Sequence, residues 1–543
     1  MLAATHEVVN QPYALVDYNL FDGDAALKAA VVREGAGSHA AALSAYGARL
    51  GTAETVELGA LANRYPPDFD THDRYGRRVD LVRFHPAYHD LMRLAIEQGL
   101  HASPWTNPGE GAQVARAARF YMQSEIEAGH GCPITMTFAS TAALKLEPKV
   151  AADWLPKVHS AVYDPRNLPI AEKAGATIGM AMTEKQGGSD VRANSTVATP
   201  IGDDLYEITG HKFFVSAPMC DAFLMLAQAP GGLTCFLAPR WLPDGSKNAI
   251  EFVRLKRKMG NVSNASSETE WRGALARRVG PEGRGVATII EMVAMTRFDC
   301  MIGSSAGMRR AVSEAIDHCR QRRAFGALLW DQPIMRDVLA DLAVESEAAL
   351  MMTMRMARAL DARGDRHEAL IARLGAALGK YWICKRTPMH AYEAMECVGG
   401  SGVMEDSPFP RLYREAPVNA IWEGSGNVQC LDVMRAIQKT PEVVEALFAE
   451  IGSAKGANAA LDAHAARLKD DLVHINDFEA HARDLCDRLA LGLQGSVVVR
   501  QAPAAVADAW AAGRLEGRGA RQYGAFPRSV DSEAIVCRAA PRA

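Results

Sequence analysis

No two cysteines in this chain lie close enough for a C-x-x-C pair, although ten are spread from Cys132 to Cys537. That excludes the paired spacings of structural zinc and thiol-redox motifs, so no metal site is expected. Unpaired thiols fit a reducing cytoplasm. No apolar run is long enough to cross a bilayer, which excludes a spanning role. The opening stretch, MLAATHEVVNQPYALVDYNLFDGD, has neither a basic n-region nor an apolar h-region, so no secretory or transit segment is expected. Positive charge is not in excess: 60 Lys+Arg against 64 Asp+Glu give a net charge of -4, which excludes nucleic-acid binding by overall charge. No internal repeat is present. What remains is 48% hydrophobic and 23% charged, a soluble composition, and 543 residues give room for three or four domains.

In chain order the grammar changes several times. Residues 1–60 read as an extended arm, with Pro12, Tyr13, Tyr18 and Phe21, followed by a helix or two. Residues 61–177 read as a helical domain: apolar residues recur at helical spacing, and Pro104, Pro108, Pro133, Pro148, Pro165 and Pro169 punctuate them. From Ile178 short apolar or alternating runs are separated by turn residues such as Pro230-Gly231-Gly232, which predicts an antiparallel β domain over 178–282. The helical period returns over 283–440 and predicts a four-helix bundle, with Met351, Met352, Met354 and Met356 as core filling. Residues 441–543 read as an extra Ala-rich helical domain. The fold class is α+β, mainly α.

Five stretches carry chemistry. Glu396 to Asn427 holds two Gly-rich turns, Gly399-Gly400-Ser401-Gly402 and Gly424-Ser425-Gly426, with Trp422 and Glu423 just before the second. A carboxylate beside an aromatic can be desolvated and so suited to act as a base; a plain helix cap is the alternative. Met182-Thr183-Glu184-Lys185-Gln186-Gly187-Gly188-Ser189 offers hydroxyls and exposed N–H groups to a polar heterocycle or a phosphate, or is simply a polar loop. Lys212-Phe213-Phe214-Val215-Ser216 sets aromatics beside a hydroxyl, as a stacking platform or a core strand. Arg322-Arg323-Ala324-Phe325-Gly326, with Gln332 beyond, suits a phosphate and a base, or a helix C-terminus. Gly303-Ser304-Ser305-Ala306-Gly307 matches G-x-S-x-G, but inside a helical pattern, where small-residue packing is the simpler reading than a hydrolase elbow.

Taken together, the order and spacing of these motifs resemble the acyl-CoA dehydrogenase family. Ala181 to Ala193 matches its first signature, and Glu396 to Glu415, through Gly399, Gly400, Gly402, Asp406 and Arg411, its second. The resemblance covers roughly 80–440. It implies a helical N-terminal domain, a central antiparallel β domain and a C-terminal bundle with FAD between them, assembled as a homotetramer built as a dimer of dimers. By the same match Glu423 would take the α-proton of an acyl-CoA thioester while the β-hydrogen leaves as hydride. Met182, Thr183, Glu184, Gly188, Phe214 and Ser216 would line the flavin, with Trp422, Gly424, Ser425 and Asn427 beside it, and Ser189 would bind the pyrophosphate. Arg322, Phe325 and the Gly399–Gly402 turn, with Gly399 and Gly400, would reach the FAD of a neighbouring subunit, and Gln332 would be a further cofactor contact.

The N-terminal arm, the wording MTEKQGGSDVRAN and IWEGSGN, and the C-terminal extension resemble the AidB branch, tied to the adaptive response to alkylation and to double-stranded DNA. Three departures stand out. Phe214 replaces a frequent Trp, and Glu396 a frequent Gln. The region after 441 holds 12 Lys+Arg against 14 Asp+Glu, so it is not basic overall. A duplex footprint would fall to Arg500, Arg514, Arg518, Arg521 and Arg528, if the fold gathers them. The expectation is an FAD-dependent dehydrogenase of an acyl-CoA-like thioester; the alternative is a DNA-binding protective protein that keeps the flavoprotein body as a scaffold.

Overall fold

A computed structural model describes residues 3, 5–202, 204–474, 478–517 and 522–541. The chain forms two compact units. One comprises Met1–Ala53, Gln113–Glu125 and Cys300–Ala543; the other comprises Glu54–Ala112 and Ile126–Asp299.

In the second unit the helix Gly131–Leu144 is buried on almost every face, which is why its sequence shows no polar stripe. Pro86 and Pro148 each sit in the first turn of a helix, where the missing N–H costs nothing. Residues 61–85, read as helical, instead contain a hairpin: β1 (Asp68–His72) pairs antiparallel with β2 (Arg78–Arg83). The Asp73-Arg74-Tyr75-Gly76 turn, with Gly76 at φ +77°, closes it.

Seven strands follow: β3 (Ile178–Ala181), β4 (Val197–Pro200), β5 (Leu205–Ser216), β6 (Ala222–Ala229), β7 (Gly232–Pro239), β8 (Ile250–Leu255) and β9 (Ser266–Val279). The pairings β6–β4–β5–β9–β7–β6 close on themselves as a small barrel, mainly antiparallel, with β3 added parallel to β6 and β8 antiparallel to β9. β6 has no polar face because its first six residues are all buried, as a central strand requires.

The first unit is a helical bundle. The helix Gly285–Gln321 enters it from Cys300 onward, followed by Pro333–Asp361, Arg366–Glu396 and Gly426–Lys439. Pro333–Asp361 is buried continuously from Leu339 to Ala357, so it is the core helix, and all four methionines of its cluster are packed inside. The C-terminal helices Ala482–Gln501, Ala504–Arg514 and Ser532–Ala539 share that core: Val497, Trp510 and Val536 pack in one cluster with Leu339 and Ile316. Among the described residues no helix is long and apolar enough to cross a membrane, and no His/Cys/Asp/Glu cluster could hold a metal.

Candidate functional site

In the barrel unit, three expected residues come together on β5 and the loop that follows β3. Phe213 N donates to the Thr183 carbonyl at 2.8 Å, which fastens the 182–190 loop to the strand. Phe214 and Ser216, two residues apart, share the outward face of β5. Phe214 is 46% exposed despite its size. Lys256 Nζ stands 4.5 Å above its ring. Gly188 tucks against Thr183, so close that a β-carbon there would lie 2.4 Å from Oγ1. Met182 is fixed by its carbonyl, which accepts from Asn194, and Ser189 is exposed.

Glu184, expected at the cofactor, is a correction. Its carboxylate is fully buried and forms an ion pair with Lys212 at 2.8 Å, and it also accepts from the N–H groups of Ser195 and Thr196. Burial alone would raise its pKa. The Lys212 ammonium and the hydrogen bonds outweigh it and hold the carboxyl well below the usual range. Glu184 therefore braces the loop from beneath rather than facing a ligand.

In the bundle unit, Glu423 takes a left-handed backbone, φ +56°, followed by Gly424 at φ +99°. Such a conformation is unusual for a glutamate and needs support. Two side chains supply it. Lys380 Nζ donates to the Gly424 carbonyl at 2.6 Å, and Gln429 Nε2 donates to the Gly424 and Glu423 carbonyls at 2.9 and 3.1 Å. Trp422 is anchored through its indole N–H to Asn419, which in turn bonds Ser304. Ser425 caps the helix Gly426–Lys439 by position, and the Asn427 amide oxygen accepts from Arg483. Sequence reasoning missed Lys380 and Gln429. The signal available was a lysine inside the apolar run Ala377 to Cys384.

Gly399 has φ +68°, and neither Gly399 nor Gly400 has any atom within 4 Å of where a β-carbon would stand, so that turn is open. The Arg322–Gly326 stretch forms a tight hairpin, β10 (Arg323–Ala324) against β11 (Ala327–Leu328). Its tip is Phe325 at φ +52° and Gly326 at φ +80°, and Phe325 is 99% exposed. Gln332 bonds the Ala324 carbonyl. Asn10 of the N-terminal arm clasps the backbone of Arg323 and receives Arg322 on its carbonyl.

The simpler reading of residues 303–307 as helix packing holds, and one further expectation fails. Ser305 is fully buried in the helix Gly285–Gln321 and hydrogen-bonded to Thr353, which excludes a nucleophile elbow. Arg514 is no surface charge: it is buried between Asp341 and Glu345, at 2.6 and 2.9 Å. Arg500 is tied to Glu450 at 2.9 Å and Arg528 is exposed, whereas Arg518 and Arg521 lie outside the described residues.

The residues present suit FAD. A half-exposed aromatic beside two hydroxyls offers a face and an edge to a flat ring, and a glycine turn with no β-carbon in its way lets a diphosphate approach backbone N–H groups.

Residues 10–165 match the adaptive response protein AidB N-terminal domain, 179–273 the acyl-CoA dehydrogenase middle domain and 283–438 the acyl-CoA dehydrogenase C-terminal domain. The Escherichia coli protein AidB, whose name groups it with the acyl-CoA dehydrogenases, is 47% identical over 517 residues, 95% of each chain. Caenorhabditis elegans ACDH-11, solved in complex with C11-CoA, superposes with a TM-score of 0.86 at 26% identity, over 100% of this chain and 94% of that one. An acyl-CoA dehydrogenase from Bacillus anthracis complexed with FAD shares the fold, with a TM-score of 0.66 at 17% identity over 93% of this chain and 87% of that one. On this ground the chain belongs to the acyl-CoA dehydrogenase family, in its AidB branch.

Proposed function

We propose that this protein is an FAD-dependent dehydrogenase of an acyl-CoA thioester, with Glu423 as the base that removes the α-proton. The observation that carries the proposal is the clamp on Glu423: a left-handed glutamate, held through its own carbonyl and that of Gly424 by Lys380 and Gln429. Backbone held in an unfavourable region by dedicated side chains is a feature of functional sites. Nothing in helix capping calls for it, because the Ser425 cap makes no side-chain hydrogen bond.

Phe214 offers a stacking face, while Thr183 and Ser216 offer edge contacts, and together they orient the cofactor. FAD, when bound, supplies the acceptor for the β-hydrogen that leaves as hydride. The Glu423 carboxylate takes the α-proton of the thioester. That ACDH-11 was solved with C11-CoA supports a CoA thioester of some length as the substrate class. The exposed Phe325 hairpin supports an assembly of several copies.

The test is anaerobic mixing of FAD-loaded protein with acyl-CoAs of graded chain length. The oxidised flavin band should bleach with at least one of them. Glu423→Gln should keep FAD and lose the bleaching by at least a hundredfold, the usual worth of a positioned base. Bleaching at an unchanged rate would remove Glu423 from the mechanism; no bleaching by any thioester would remove the dehydrogenase reading. The duplex-binding alternative is weakened by the ion pairs that engage Arg500 and Arg514.

A further inference from the structure

Ser216, read above as an edge contact for the cofactor, ends β5, and its register partner Ser266 opens β9. The two hydroxyl oxygens are 3.1 Å apart. On the loop between β8 and β9, Lys258 Nζ donates to Ser266 Oγ at 3.2 Å and to the Asn264 carbonyl. An ammonium has three donors and no acceptor, so Ser266 Oγ accepts from it. The Ser266 hydroxyl then has a hydrogen of its own to place. Ser266 is 3% exposed, and Ser216 Oγ is the one other partner its hydroxyl has among the described residues. Any other orientation leaves a buried O–H without an acceptor, at a cost of about 1–3 kcal/mol. The chain of donors therefore runs from Lys258 to Ser266 to Ser216, and the Ser216 proton is left to point outward beside Phe214.

We propose that Lys258 is a positioning residue which, through Ser266, fixes the Ser216 hydroxyl as a hydrogen-bond donor toward a carbonyl-type acceptor on the flavin edge. The inference rests on the reading of Ser216 as a cofactor contact. A flavin carbonyl gains negative charge when the ring is reduced, so a donor fixed there binds the reduced form more tightly than the oxidised form. Burial lowers the Lys258 ammonium to about 8, against the pull of Cys132 and Glu127, and at pH 7 it still carries its proton.

The experiment is the midpoint potential of the FAD-loaded, full-length protein at pH 7, by equilibration with reference dyes. Lys258→Met should weaken the preference for reduced over oxidised FAD about tenfold, which for a two-electron couple lowers the potential by about 30 mV. Ser266→Ala should give the same shift, and it carries the test alone if Lys258→Met fails to fold. Lys258→Arg, which also only donates, should keep the wild-type value. In a Ser216→Ala background, Lys258→Met should add nothing. An unchanged potential overturns the inference, and so does a shift of equal size in the Ser216→Ala background, which would mark a direct effect of charge. Those results leave the dehydrogenase reading standing. A wild-type protein that takes up no FAD overturns both.

Discussion

A β-carbon on Gly188 would stand 2.4 Å from Thr183 Oγ1 and 3.0 Å from Cγ2, nearer than atoms can approach. The obstacle is one rotatable side chain, and Gly188 itself has no positive φ. Gly188→Ala should therefore cost no more than about 1 kcal/mol of stability, the price of moving Thr183 off its rotamer. The Thr183 hydroxyl would move with it. FAD affinity, measured by quenching of flavin fluorescence on uptake, should fall about tenfold, the worth of roughly one hydrogen bond. Intact affinity would take Thr183 out of the cofactor site. At this scale the sequence told the type of residue better than its task. Thr183, Phe214 and Ser216 stand out in the sequence because an aromatic between hydroxyls suits a flat ligand, and the fold puts Phe214 and Ser216 on one face of β5. Glu184 was misassigned because its partner, Lys212, lies 28 residues away, and burial of both ends is a fact of tertiary structure. The left-handed backbone of Glu423 was hidden for the same reason, since Lys380 lies 43 positions earlier on another helix.

Between Arg323 and Leu328 the chain makes the smallest element of the fold, a two-residue hairpin turn with both central residues at positive φ. Such a turn favours Asn-Gly, and Phe in the first place is strained. The Phe325 ring gains nothing in return within this chain, being 99% exposed. A strained, solvent-facing aromatic is accounted for when something outside the chain covers it, as the family resemblance implies for the FAD of a neighbouring subunit. Phe325→Ala should thus leave the thermal midpoint of the FAD-free protein nearly unchanged, within about 0.5 kcal/mol. The same substitution should weaken FAD retention and shift the assembly toward smaller species on size exclusion. Full retention with an unchanged elution volume would count against any outside partner. Elements with strong local grammar were legible: the strand-and-turn rhythm from Ile178 and the long apolar helices. β9 was not, because it opens Ser266-Ser267-Glu268-Thr269, four polar residues that the sheet nevertheless buries. The hairpin β1–β2 was lost among helices because its strands, DFDTH and RVDLVR, are short and mostly polar.

The C-terminal region reads in sequence as an extra helical domain, not basic overall, with five arginines as its candidate duplex footprint; in the molecule it completes the charge balance of the bundle. The core helix Pro333–Asp361 buries Asp341, Glu345, Glu347 and Arg355. Their counter-charges come largely from beyond residue 441: Arg514 for Asp341 and Glu345, Arg538 for Glu347, and Glu450 for Arg355. Removing one partner of a buried pair leaves the other uncompensated, at about 3–5 kcal/mol, so the region cannot be cut away without loosening the bundle. Glu450 makes this testable by pH. Burial would raise its carboxyl, but Arg355, Arg500 and His367 outweigh burial and hold it near 2, against 4.5 unperturbed. A depressed carboxylate stabilises the fold above its unfolded pKa, and that contribution is lost as pH falls through 4.5 toward 2. The difference corresponds to about 3 kcal/mol at neutral pH. Glu450→Gln should therefore lower the thermal midpoint clearly at pH 7, and the gap to wild type should hold to about pH 5 and narrow below 4.5. A gap that is the same at pH 7 and pH 4 would mean that Glu450 contributes packing rather than charge, leaving Arg514 and Arg538 as the charges that tie the C-terminal helices to the core helix.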